Sequence, residues 1–231
     1  VALEISQKKQ KQAGLVYISL AALFIAALIT CNLIANKFVT VSLGFKTFVV
    51  SAGVLPYPIT FLITDVLSEI YGRRNTAWVV LSGFFASLLV LLILYLGQVF
   101  PAIADSPVSN QEFATVFQNS GRVILASMLA YLSAQFIDVR IFHFLKKRTK
   151  GKALWFRNNF STFFSQLVDT ILVTTVIFAG LKSAAFISGL VMDGWLFKVI
   201  CAAADTLLIY PIVYFLRKQF GLKPGQEINW Y

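Results

Sequence analysis

Six long apolar segments, at 14–36, 49–71, 75–100, 121–145, 160–181 and 193–216, constrain this chain of 231 residues more than any other feature. Each exceeds the roughly 20 residues that a helix needs to cross ~30 Å of hydrocarbon. The prediction is an all-α, polytopic membrane protein with six transmembrane helices. Because 58% of residues are hydrophobic and only 13% charged, the spans use nearly all of the chain. That leaves one membrane domain over 1–231 and no room for a soluble catalytic domain. The first apolar run is too long for a cleavable signal peptide and continues into the fold. Several spans nonetheless carry ionisable side chains: Asp65, Glu69, Asp138, Arg140, Asp169, Lys198 and Asp205. A charge at bilayer depth costs roughly 2.5 to 3.5 kcal/mol or more unless it faces protein or water, so these residues are expected to line a solute path.

The formal net charge of +10 is placed in alternate short connections. Lys8, Lys9 and Lys11 precede the first span, and Arg73 and Arg74 join the second to the third. Lys146, Lys147, Arg148, Lys150, Lys152 and Arg157 lie between the fourth and fifth, and Arg217, Lys218 and Lys223 follow the sixth. The opposite connections hold only Lys37, Lys46 and Lys182, with no basic residue from Pro101 to Gly121. By the positive-inside rule both termini are expected in the cytoplasm. Attraction to anionic headgroups accounts for the basic run from Lys146 to Lys152 without nucleic acid. The two cysteines, Cys31 and Cys201, both fall in apolar spans, where a thiol is ordinarily a packing residue. They imply no disulfide framework, metal site or cofactor.

Between the first two spans, Val39 to Phe48 is half apolar around Gly44 and reads as a short hairpin or interfacial turn. In the loop from Pro101 to Ser120, Phe113, Val116 and Phe117 recur at helical spacing and predict one amphipathic turn. Pro56 and Pro58 remove backbone donors inside the second span, predicting a proline-broken helix of the kind that exposes backbone groups to a solute. Asp65 and Glu69 follow at i and i+4 on one face. Two carboxylates so close disfavour joint ionisation, so one is expected to be protonated or paired with Arg73, Arg74 or Arg140.

The fourth and fifth spans echo each other, with Gln135 and Asp138 in one and Gln166 and Asp169 in the other. Glutamine at i and aspartate at i+3 project to the same side of a helix. The fifth span carries a polar stripe that includes Ser161, Thr162, Ser165, Thr170, Thr174 and Thr175. Interhelical hydrogen bonding explains Ser and Thr, but explains poorly a carboxylate about 15 Å along the span. Lys198 and Asp205, seven residues apart, share nearly one face of the sixth span, and Asn32 and Asn36 end the first. A buried ammonium needs a carboxylate or an acceptor-rich ligand. Carboxylates that accept paired N–H groups, with amides and an ammonium facing ring acceptors, suit a planar nitrogen heterocycle better than a sugar or a bare ion. Tyr57, Phe61, Phe160, Phe163, Phe164 and Trp195 are available for stacking.

These residues also carry a family likeness. In its blocks Leu43 to Phe45, Pro58 to Asp65 and Ile70 to Gly72, Gln135 to Val139, Ser161 and Thr162 with Asp169 and Thr170, and Phe197 to Val199 with Pro211, the chain resembles the queuosine precursor transporter family. The likeness runs from Asn32 to about Tyr214. It implies six helices, residence in a bacterial inner membrane, and uptake of 7-cyano-7-deazaguanine or its aminomethyl relative. It also suggests distant kinship with the substrate-binding subunits of energy-coupling-factor vitamin transporters. Asn32, Asp65, Gln135, Asp138, Asp169 and Lys198 carry over as substrate-binding candidates. Asn36, Glu69, Gln166 and Asp205 join them on their own chemistry.

Two rival readings stand beside a self-sufficient transporter. A vitamin-binding subunit would need a separate energising complex, for which Ala22 and Ala26 offer a small-residue face. An intramembrane enzyme would need a catalytic group, but the one histidine, His143, sits among basic residues at a span end, and no nucleophile motif is visible. The expectation is a carrier and not an enzyme. Buried carboxylates suit proton coupling, and equally a facilitator whose solute is trapped by later metabolism. Oligomeric state is open.

Overall fold

Eleven successive residues of one short helix, Thr60 to Ile70, are buried, and the longer helices pack around them. The computed structural model describes residues 2–3, 7–35, 37–117, 121–178 and 180–228. Its helices are α1 (Gln7–Leu33), α2 (Tyr57–Ile70), α3 (Gly72–Val99), α4 (Asn110–Phe117), α5 (Gly121–Arg148), α6 (Leu154–Phe178) and α7 (Ala184–Phe220). Strands β1 (Ala2–Leu3), β2 (Phe38–Ser42), β3 (Thr47–Ser51) and β4 (Glu227–Ile228) form two small sheets. β2 pairs antiparallel with β3, and β1 pairs parallel with β4. Helix α2 touches α1, α3, α5 and α7, while α6 lies between α5 and α7.

Five stretches among the described residues are long and apolar enough to cross a membrane: Gln7–Leu33, Ala52–Ile70, Gly72–Val99, Ser127–Arg148 and Ala184–Phe220. In α1 only 17% of the most apolar window is buried, against 61% in the stretch containing α2. The outer helices therefore offer their apolar surface to lipid, and α2 offers its own to protein. Helix α6 is not among the five, and Ser161, Thr162, Ser165, Gln166, Asp169, Thr170 and Thr174 are buried polar residues on it.

The second predicted span needs correction. Its first part is β3 followed by a 3-10 turn at Ala52–Val54, and helix begins only at Tyr57. Pro56 occupies the position before α2 and Pro58 its first turn, where a missing N–H breaks no intrahelical bond. The prolines thus start a helix instead of breaking one. The hairpin expected around Gly44 is present, with Gly44 at φ +84° supplying the left-handed turn. The amphipathic turn expected in the 101–120 loop is α4, where Phe113 stacks on Phe117 with ring centroids 4.9 Å apart.

The two ends of the bundle differ. At one end the α2–α3 junction meets the start of α1, where the Tyr71 hydroxyl donates to the Ala13 carbonyl at 2.9 Å. The α5–α6 turn and the C-terminal tail lie at the same end, with Lys146 Nζ donating to Glu227 Oε1 at 2.9 Å. Buried Glu69 is held there by Arg157, whose Nη1 donates to Oε2 at 2.6 Å and Nη2 to Oε1 at 3.3 Å, and by Arg217. Lys146 Nζ lies 3.5 Å from the same carboxylate. These partners replace the expected Arg73, Arg74 or Arg140. The α5–α6 turn folds back and delivers Arg157, which is also tied to the carbonyls of Gly151 and Lys152 at 3.2 and 3.1 Å. At the other end lie α4, the β2–β3 hairpin and the first turns of α7, the last two joined by a Lys46–Asp193 ion pair of 2.5 Å.

Candidate functional site

A cavity of about 620 Å³ lies toward the hairpin end, within the size range of small-molecule pockets. The end of α1, the hairpin, α3, α5, α6 and α7 all contribute to its wall. Leu28, Val90, Met128 and Val173 make much of that wall apolar. Asp193, whose side chain is 50% exposed, lines its rim.

The polar floor is built by three elements. Asp169 on α6 accepts from the Tyr57 hydroxyl at Oδ1 (3.1 Å) and from Lys198 Nζ at Oδ2 (2.5 Å). Lys198, on α7, also lies 3.3 Å from Thr170 Oγ1 and sits over the Tyr57 ring, 4.9 Å from its centroid. Tyr57 stands where the prolines launch α2, so the chain's entry into that helix sets its ring beside the pair. Helix α6 starts at Leu154, earlier than the expected 160. Asp169 is therefore about 22 Å along it, at 1.5 Å per residue, and closer to the hairpin end than expected.

This floor can still bind. A carboxylate has about four lone-pair sites and an ammonium three donors. Each oxygen of Asp169 meets one protein donor, and Lys198 meets two acceptors, so both retain capacity facing a void. Asn32 and Thr174 line the same cavity, as does Ser87, whose buried hydroxyl has no hydrogen-bond partner.

The other predicted residues go elsewhere. Asn36 lies outside the described residues. Glu69 belongs to the ion cluster at the far end. Asp65, Gln135 and Asp138 are fully buried together but border neither the large cavity nor the small void beneath it. Asp138 accepts from Ser165 Oγ at 3.0 Å and lies within hydrogen-bonding reach of Asp65, Ser161 and Thr162. Gln166 and Asp205 border the small void, together with Thr162 and Lys198. Of the aromatic residues expected to stack, only Tyr57 lines the large cavity. Trp195 donates to the Phe163 carbonyl at 3.1 Å and packs on its ring. Sequence reasoning passed over Tyr131, Ser87, Thr47 and Asp193, all of which line the cavity. Only Asp193 carried a sequence signal, as a carboxylate at the mouth of a span.

Comparison with known proteins gives one family. The family model "Putative vitamin uptake transporter" matches residues 51–212. A "Probable queuosine precursor transporter" of Bacillus subtilis (strain 168) is 31% identical over 80% of this chain and 79% of its own length. The "Queuosine precursor transporter" of Escherichia coli (strain K12) is 26% identical over 73% of this chain and 71% of its own. No solved structure matches. With the matched region holding α2, the Asp169–Lys198 floor and the buried Asp65–Asp138 pair, the chain belongs to the queuosine precursor transporter family.

Proposed function

We propose that this protein is a six-span carrier that imports a queuosine precursor, 7-cyano-7-deazaguanine or 7-aminomethyl-7-deazaguanine, through the cavity above Asp169 and Lys198. Helix α6, fifth in chain order, completes the six spans. Its 25 residues exceed the required length, and its polar side turns inward. Phe156, Phe160 and Phe164 stack along another side, with centroids 5.3 and 4.8 Å apart and the last two part exposed, as a lipid-facing ridge would be. The basic end, carrying both termini, faces the cytoplasm by the positive-inside rule. The hairpin end and the cavity mouth face outward.

The observation that carries the substrate reading is a buried ion pair with unused hydrogen-bonding capacity beside a cavity of ligand size. Asp169 accepts the N–H edge of the pyrimidine ring of the deazaguanine, and Lys198 donates to a ring acceptor, as charge-assisted hydrogen bonds. Tyr57 supplies an aromatic face, Asn32 a neutral amide, and the apolar wall covers the rest. The relatives' names point to the same solute class.

Uptake of labelled precursor into cells unable to make it tests this. Asp169→Asn is expected to lower uptake about tenfold or more, since a hydrogen bond to a charged group contributes about 1.5 to 3 kcal/mol. Unchanged uptake at equal protein level removes Asp169 from the site.

A further inference from the structure

Between the cavity floor and the cytoplasmic ion cluster lies a second polar group that touches no cavity large enough for a heterocycle. Asp65 on α2 and Asp138 on α5 are 1% and 0% exposed, and their carboxyls lie within hydrogen-bonding reach of each other. Asp65 Oδ1 and Asp138 Oδ2 have no hydrogen-bond partner, and neither does the side-chain amide of Gln135, one turn before Asp138. A carboxylate only accepts, so two of them bond to each other only when one carries a proton. Like charges at that range do not both ionise in a buried site.

The charged groups on the neighbouring helices α6 and α7 limit what could replace that proton, and the parts of α1 and α3 beyond their first turns carry no charged residue. From α6, Arg157, the cation that acts on Asp65, is committed to Glu69 and to the carbonyls of Gly151 and Lys152. From α7, Asp205 adds another negative charge instead of a compensating one. The remaining neighbours of Asp138 are the hydroxyls of Ser161, Thr162 and Ser165. Thr162 also borders the small void, of about 10 Å³, that Gln166, Asp205 and Lys198 share. That volume is about one water. Lys198 lines both the large cavity and this void, and Thr162 stands between the void and Asp138, so polar side chains link the cavity floor to the pair.

From this arrangement we infer that Asp65 and Asp138 together form a proton-binding site, reached from the solute cavity, that couples solute import to proton entry. The inference rests on the transport reading above and adds its driving force. One proton is held between the two carboxyls and joins α2 to α5. Its loss leaves two negative charges facing each other. Arg157, engaged with Glu69 one turn further along α2, is the cation placed to answer them. Proton occupancy is thereby linked to the ion cluster that closes the cytoplasmic end.

Two measurements test it. In purified substrate-free protein near neutral pH, infrared spectroscopy should show a protonated carboxyl C=O band that disappears in both Asp138→Asn and Asp65→Asn. In proteoliposomes, neutral 7-cyano-7-deazaguanine should accumulate with an inward proton gradient, up to about tenfold per pH unit for one proton per solute. In Asp138→Asn the amide N–H replaces the shared proton and keeps the fold, so entry should continue but level off at equal concentrations. A wild type with no such band, or one that only equilibrates the solute under the gradient, overturns the inference. So does a variant that still accumulates. A wild type that admits none of this solute defeats the transport reading instead, and the infrared band still decides the proton site.

Discussion

The Glu69 cluster and the Asp169–Lys198 pair look alike in sequence, as charged residues inside apolar spans, yet the fold uses them in opposite ways. Around Glu69 three cations converge on one buried carboxylate, and Arg157 directs its donors at Glu69 and at two backbone carbonyls. Almost every donor there is spent inside the protein, Arg217 Nε being the exception. At Asp169 and Lys198 the partners are fewer, and a cavity adjoins them. A charge at bilayer depth therefore marks a binding site only where empty space and unused hydrogen-bonding capacity coincide. Where they do not, it is a clamp between helices.

The largest effect is expected at the clamp. Arg157→Met should cost about 3 kcal/mol, the lower end for breaking a buried pair, because Lys146 and Arg217 remain beside Glu69. A melting temperature equal to wild type would erase the contrast between the two regions. Next comes the cavity pair. Asp169→Asn should remove solute binding while lowering stability much less than Arg157→Met, because its stranded ammonium can recruit water from the cavity. Pairing Asp169→Asn with Lys198→Met should recover that smaller loss without recovering uptake. If the double variant transported normally, the pair would be a clamp as well.

At the mouth, Lys46→Ala removes a half-exposed ion pair, and exposed pairs contribute only about 0.2 to 1 kcal/mol, screened by salt. Its expected effect is a small, salt-dependent change in uptake rate and an unchanged melting temperature. A loss of uptake as deep as that of Asp169→Asn would move the binding determinant outward.

The smallest effect concerns α4 beside the cavity. Ser109 and Glu112 form a capping box, with the Ser109 N–H donating to Glu112 Oε2 at 2.8 Å and the Glu112 N–H to Ser109 Oγ at 3.2 Å. The Ser109 backbone bond, then its hydroxyl, holds the Glu112 carboxyl below its ordinary 4.5. Its folded value lies below its unfolded one, so the cap is complete above the ordinary carboxylate range and is lost as pH falls through the lowered value. Amide exchange at Ser109 should rise over that acid window, and Glu112→Gln should abolish the step. A step that survives in Glu112→Gln assigns it to another group.

Much of the fold was legible, because long apolar runs, basic turns and polar stripes are local patterns. The hairpin at Gly44 and the turn at Phe113 and Phe117 were readable for the same reason. The second span was misread because hydropathy cannot tell a buried strand from a buried helix, and because Pro56 and Pro58 start a helix as readily as they break one. The partners of Glu69 were missed because Arg157 lies 88 residues away in sequence, brought in by the fold-back of the α5–α6 turn. Asp169 and Lys198 were singled out, but not their contact, and Tyr57 was read only as an aromatic face.

By itself, then, the sequence determined that this is a membrane-embedded helical bundle of a transport family, because span length, charge placement and motif order are properties of neighbouring residues. Only the tertiary structure decided which buried charges are consumed in pairs and which keep capacity beside a void. That depends on distances between side chains from different helices, and no local pattern encodes them.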